Sequence, residues 1–103
     1  MPMQIKISEA DRKTILRLGG RFDFNASREF RDSYERVLGR REVEVIDIDL
    51  SEVDYLDSSA LGMLLLLREK AEPAGIKLSL VNGRGAVRQI LEVANFHKLF
   101  TLK

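Results

Sequence analysis

Two short stretches near the start, MQIKI (Met3–Ile7) and TILRL (Thr14–Leu18), alternate apolar with polar residues on either side of the polar connector SEADRK. A period of two is that of strands with one buried face, and the connector predicts a β-hairpin. The period then changes. Ala26, Phe30, Tyr34, Val37 and Leu38 recur at helical spacing with charged residues between them, which predicts an amphipathic helix. Asn25 is placed to cap it, and Gly39 suits a left-handed residue after its last turn. Val43–Leu50 (VEVIDIDL) is rich in β-branched residues and too short for a helix, so it is predicted as a strand, with Asp47 and Asp49 on one face. SEVDYLD reads as a loop. Ser58 to about Glu72 is apolar on most sides until REKAE and is stopped by PAG, as a deeply packed helix would be. Ile76–Val81 alternates as a strand, NGRG turns, and AVRQILEVA places Ala86, Val87, Ile90, Leu91 and Ala94 on one helix face. The tail NFHKLFTLK reads as a turn and a short edge segment.

The predicted order is ββαβαβα. Parallel strands need crossovers of a dozen or more residues, and the helices after the third and fourth predicted strands supply them. The expected fold class is α/β: a mixed sheet of four to five strands with helices packed on it. In such sheets ligands and partners meet the chain where strands hand over to helices. The stretch YLDSSALG (Tyr55–Gly62) lies at such a handover.

Composition narrows the function classes. The 103 residues fit one domain, 1–103, with a sizeable core. Seventeen Lys and Arg stand against sixteen Asp and Glu, and that balance gives no general pull toward nucleic acid or an anionic membrane. There is no cysteine, which removes disulfides and thiolate chemistry. The start of the chain has no hydrophobic leader, and the longest apolar run, Ala60–Leu67 with Gly62 inside it, falls well short of the roughly 18 residues a membrane span needs. A cytoplasmic protein without membrane insertion is expected.

Within YLDSSALG, Asp57 as cap puts Ser58 and Ser59 in the first helical turn, where backbone amides lack partners and the helix dipole is positive. With Ser58 at 0° and about 100° per residue, Gly62 falls near 40°, Glu69 near 20° and Ser59 near 100°, beside Leu66. Ser58 therefore lies on the more polar arc, next to a position without a side chain, and Ser59 leans toward the packed side. Capping alone accounts for an Asp-Ser-Ser at a helix start. Other chemistries find less support. Gly83-Arg84-Gly85 begins like a dinucleotide loop but has Arg88 where the third glycine belongs. His97 is the only histidine and supplies no metal cluster, and no Gly-x-Ser-x-Gly elbow surrounds either serine. Asp47, Asp49, Asp54 and Asp57 lack the context of an aspartyl-phosphate receiver. No catalytic residue, metal or cofactor is expected.

The segment VDYLDSSALGMLLLLREKAEPAGIKLSLVNGRGAVRQILEVANFHKLF resembles the core of the STAS family, the anti-sigma factor antagonists, whose signature is Asp-Ser-Ser-Gly/Ala-Leu/Ile-Gly. Upstream, LGGRFDFNASREFRDSY is similar to the family's Gly-x-x-Asp segment, and the likeness runs over nearly the whole chain. The resemblance implies a binding protein rather than an enzyme, with Ser58 as phosphoacceptor. The implied partners are a serine-kinase anti-sigma factor, or a related regulator, and a metal-dependent serine phosphatase. The implied docking surface comprises Asp23, Phe24, Asn25, Ser58, Ser59, Leu61 and Gly62, with Asp57, Ser59 and Asp23 supporting the phosphosite. Asp23 equally fits a turn or cap, Phe24 equally fits the core, and Ser59 fits either a second acceptor or a structural hydroxyl. The implied state is a monomer or weak dimer. A constitutive scaffold subunit of a membrane transporter or signalling complex is the alternative that family offers. Ala60 stands where the family more often has Gly, and NGRGAV replaces its commoner Ser/Pro-containing cap.

Overall fold

The computed structural model describes residues 3–40 and 42–103; Met1, Pro2 and Arg41 of the basic stretch LGRREVE lie outside the described residues. The strands are β1 (Gln4–Ala10), β2 (Lys13–Phe22), β3 (Val45–Leu56), β4 (Lys77–Val81) and β5 (Thr101–Leu102). The helices are α1 (Ser27–Leu38), α2 (Ser58–Ala71) and α3 (Gly85–Val93), with 3-10 turns at Phe24–Ala26 and Phe96–Lys98. The five strands lie in sequence order across one sheet, β1 antiparallel to β2 and the others parallel. The expected α/β class, mixed sheet and ββαβαβα order are therefore what the chain adopts, with the tail supplying β5.

Three successive parallel connections that all step the same way across a sheet, each right-handed, bring their helices to the same face. Side-chain contacts agree. Phe22 at the end of β2 meets Phe30 of α1 with ring centroids 5.0 Å apart. Leu50 of β3 and Val87 and Leu91 of α3 converge on Gly83. Leu16, Leu18, Ile46, Ile48, Leu50 and Leu80 line this face and are buried under the helices. Leu64, Leu67 and Ala71 of α2 close over them.

On the opposite face the register sets Ile15, Asp47, Ser79 and Thr101 in one row. Asp47 and Asp49 share that face, as the period of two requires. Lys13 Nζ lies 2.8 Å from Asp47 Oδ2 and Arg17 Nε 3.3 Å from Asp49 Oδ2, so the strand beside β3 supplies a cation for each acid. Burial disfavours the Asp49 carboxylate, but the Ser51 backbone N–H and hydroxyl, the Asn82 side chain and Arg17 outweigh it, and its pKa lies below the ordinary value.

Several expectations are corrected. The hairpin is longer than the alternation suggested, closing through the turn at Asp11–Arg12. SEVDYLD is not a loop: β3 continues through it to Leu56. Pairing with β2 jumps from Arg17↔Asp49 to Gly19↔Glu52 and from Gly20↔Val53 to Arg21↔Tyr55, so β3 carries one extra residue at each step. Such bulges rotate the strand. Leu50, Val53 and Leu56 thereby all point into the core at a spacing of three, which hides the strand from a period-two reading. Gly39 is right-handed at φ −77°, its N–H still bonded to Glu35 O. Asn25 does not cap α1, which begins two residues later after Ala26 without a side-chain cap.

Candidate protein-docking site at the start of α2

The long pairing of β2 with β3 brings two chain reversals together. Phe22 pairs with Leu56 at the strand ends, and the Asp57 N–H donates to Phe22 O at 3.4 Å. Asp23 and Asp57 thus leave adjacent strands side by side, and each caps the helical segment that begins after it. Asp57 Oδ1 accepts from the Ala60 N–H at 3.0 Å at the start of α2. Asp23 Oδ1 accepts from the Asn25 N–H at 3.0 Å and closes the 3-10 turn. Asn25 is therefore the capped residue, and its side chain is exposed at the corner.

Ser58, the first residue of α2, is exposed, and Ser59 is half-buried. Gly62 is exposed one turn beyond Ser58, while Leu61 is half-buried between helix and core. The predicted separation of the two serines is present. Phe24, for which core and surface were both open, is 72% exposed. Leu66, which the helical angles set beside Ser59 on the side expected to be packed, is instead 51% exposed, so that helix is less enclosed than its composition suggested. Leu66 and Met63 form one bank of a shallow cleft of about 270 Å³ whose other bank is Arg28, Arg31 and Tyr34 of α1.

Two residues at this corner escaped the sequence reading. The Arg21 guanidinium stacks 3.9 Å from the Tyr55 ring centroid, and its Nε lies 3.3 Å from Asp23 Oδ2. Tyr55 was hidden because its segment read as a loop. Arg21 stood two residues before Asp23 on a strand that was predicted to end at Leu18. Asp54, at the second bulge, is exposed. His97 lies in the 3-10 turn before β5, on a different element from either serine. No cluster of three or more metal-ligating side chains occurs among the described residues.

An exposed first-turn hydroxyl, an open helical glycine and solvent-facing aromatics are thus held together outside the ends of two parallel strands of a small α/β module. The model of the family described as STAS domain matches residues 4–103, and the chain belongs to that family. A STAS-domain containing protein of Pseudomonas aeruginosa (strain UCBPP-PA14) is 49% identical over 89 residues, 84% of each chain. An anti-sigma F factor antagonist of Paenibacillus polymyxa is 24% identical over 102 residues, covering 99% of this chain and 87% of that one. The unphosphorylated anti-sigma factor antagonist SpoIIAA shares the fold with a TM-score of 0.82 at 18% identity, over 97% of this chain and 88% of that one. A sulfate transporter family protein from Wolinella succinogenes shares it with a TM-score of 0.70 at 18% identity, over 82% and 67% of the two chains. Among the described residues no helix is long and apolar enough to cross a membrane.

Proposed function

We propose that the chain is a phosphorylation-controlled binding switch of the anti-sigma factor antagonist type, acting by binding and not by catalysis. The unphosphorylated form docks on a serine-kinase anti-sigma factor or a related cytoplasmic regulator and frees what that regulator holds. The kinase ends the complex by phosphorylating Ser58, and a metal-dependent phosphatase restores it. One observation carries this reading: Ser58 is exposed in the first turn of α2 while Asp57 does the capping, so a phosphate there leaves the cap bond to Ala60 intact. Phosphorylation adds about −1.5 to −2 charge at neutral pH. In a packed interface that charge must be desolvated, with Asp23, Asp54 and Asp57 nearby as like charges. A penalty of about 3 kcal/mol already lowers affinity more than a hundredfold.

Co-purification of the wild type, Ser58→Ala and Ser58→Asp from the native cell, with partners and phosphopeptides read by mass spectrometry, tests the switch. The expected result is a Ser58 phosphopeptide, a partner kept by Ser58→Ala and reduced by Ser58→Asp. If Ser58 is never modified and both variants keep every partner, the switch fails. The constitutive scaffold, favoured by the likeness to a sulfate transporter family protein, then takes its place.

A further inference from the structure

The start of α2 is a crowded place for a dianion. Asp23 and Asp57 flank it, and Asp54 stands near the end of β3, three residues before Asp57. The cations of α2, Arg68 and Lys70, are in its last turn, and Arg28 of α1 lines the cleft with Leu66. Arg84, at the start of α3, donates to Ser51 O, well back along β3 from Leu56. Among the described residues Arg21 is a cation that the register places at this corner: it stands opposite Tyr55, one residue before the Phe22–Asp57 contact that joins the two reversals.

We infer that Arg21 is the internal counter-ion of phosphorylated Ser58: it exchanges Asp23 for the phosphate, and the exchange bares the Asp23 carboxylate to the partner. The inference rests on the reading of Ser58 as the phosphoacceptor. Arg21 is held in reserve by contacts that are easily surrendered. Its ion pair with Asp23 is 3.3 Å long, with the arginine side chain 48% exposed, and such pairs contribute little in water. A phosphate dianion carries more charge than a carboxylate and accepts two parallel guanidinium bonds, a geometry arginine fits. Of the five donors on a guanidinium, the contact to Asp23 uses Nε. The Tyr55 ring keeps the group at this corner in either state, since its face attracts a cation wherever the guanidinium edge points. Asp23 remains in place after the exchange because its other oxygen caps the turn through the Asn25 N–H. Phosphorylation then alters the docking surface at two points, with a phosphate at Ser58 and an uncovered acid at Asp23.

The test is a phosphorus NMR pH titration of the full chain carrying phosphoserine installed at position 58 during synthesis, in wild-type, Arg21→Gln and Arg21→Lys backgrounds. A nearby cation favours the dianion, so Arg21→Gln is expected to raise the second phosphate pKa, ordinarily about 6, by about half a unit or more, and Arg21→Lys to restore part of the difference. The Arg21 Nε–Hε resonance is expected to shift between the serine and phosphoserine forms. An unchanged pKa in Arg21→Gln overturns the inference. If that variant does not fold, an unmoved Nε–Hε resonance in the wild type overturns it instead. Because the phosphoserine is supplied synthetically, a Ser58 never modified in the cell refutes the switch without touching this result, and an unchanged pKa refutes the Arg21 exchange without touching the switch.

Discussion

Replacing Gly62 separates what the fold needs at the start of α2 from what a partner needs. Gly62 is the fifth residue of the helix and exposed, and a methyl group built on it meets no atom within 4 Å. Nothing among the described residues therefore demands glycine there. A helix-interior glycine is about 0.8–1 kcal/mol less favourable than alanine, so Gly62→Ala is expected to stabilise the protein by about that amount. With an unfolding entropy of roughly 2.1 cal/mol/K per residue, this raises Tm by about 4 °C. Urea and thermal unfolding followed by circular dichroism measure it. The opposite sign is expected for docking. If a partner's backbone approaches Ser58 across this gap, a side chain holds it off, and a displacement that costs about 1.4 kcal/mol weakens binding tenfold. Calorimetric titration of the partner recovered with the wild type should show a modest loss for Gly62→Ala and a larger one for Gly62→Leu. A destabilised Gly62→Ala protein would mean that the glycine serves the fold. Unchanged affinity in Gly62→Leu would remove the α2 arc from the interface.

Other substitutions probe neighbouring parts of the same argument. Asp57→Ala, which removes the acceptor for the Ala60 N–H, should lose about 1 kcal/mol in urea unfolding, while Ser58→Ala should stay within about half of that. Leu64→Ala, at a fully buried position of α2, should cost about 2–5 kcal/mol, and an effect below about 1 kcal/mol would contradict the packing described. Asp49 has a folded pKa below its unfolded value of about 4, so its contribution is complete at neutral pH and is lost as pH falls through the folded value. The stability difference between the wild type and Asp49→Asn should therefore narrow in urea melts taken from about pH 5 downward; a constant difference would show that the carboxylate charge is not what matters.

The elements that could be read from sequence are those whose burial has one period. The alternation of β1 and β2, the helical stripe of Phe30, Tyr34 and Val37, and the Asp57 cap each follow from local geometry, and each is present. The second half of β3 was not legible because two bulges turn its inward positions to a spacing of three, and bulges depend on the partner strand. The same blindness extended to the site. Asp57, Ser58 and Gly62 stand in one contiguous motif: helical angles set Ser58 and Gly62 on one arc, cap preference picked out Asp57, and the family resemblance singled out Ser58. Arg21 and Tyr55 become neighbours only through a register between two strands, one predicted too short and the other read partly as a loop. Asn25 was misassigned for a related reason. The 3-10 turn inserts itself before α1, and Asp23 takes the capping role two residues earlier than a direct strand-to-helix passage would place it.

The two small residues of SSALG sit on opposite sides of the helix start. Ala60 is fully buried and its N–H makes the cap bond to Asp57, so a methyl in place of the family's more frequent glycine is absorbed by the core and stiffens the turn that presents Ser58. Gly62 faces solvent with open space above it, at a position where alanine would favour the helix. Side-chain volume is present at Ala60, where it touches the protein's own core, and absent at Gly62, one turn from Ser58. The proposed docking surface requires such an open position beside Ser58, and a helix cap alone gives no reason for it.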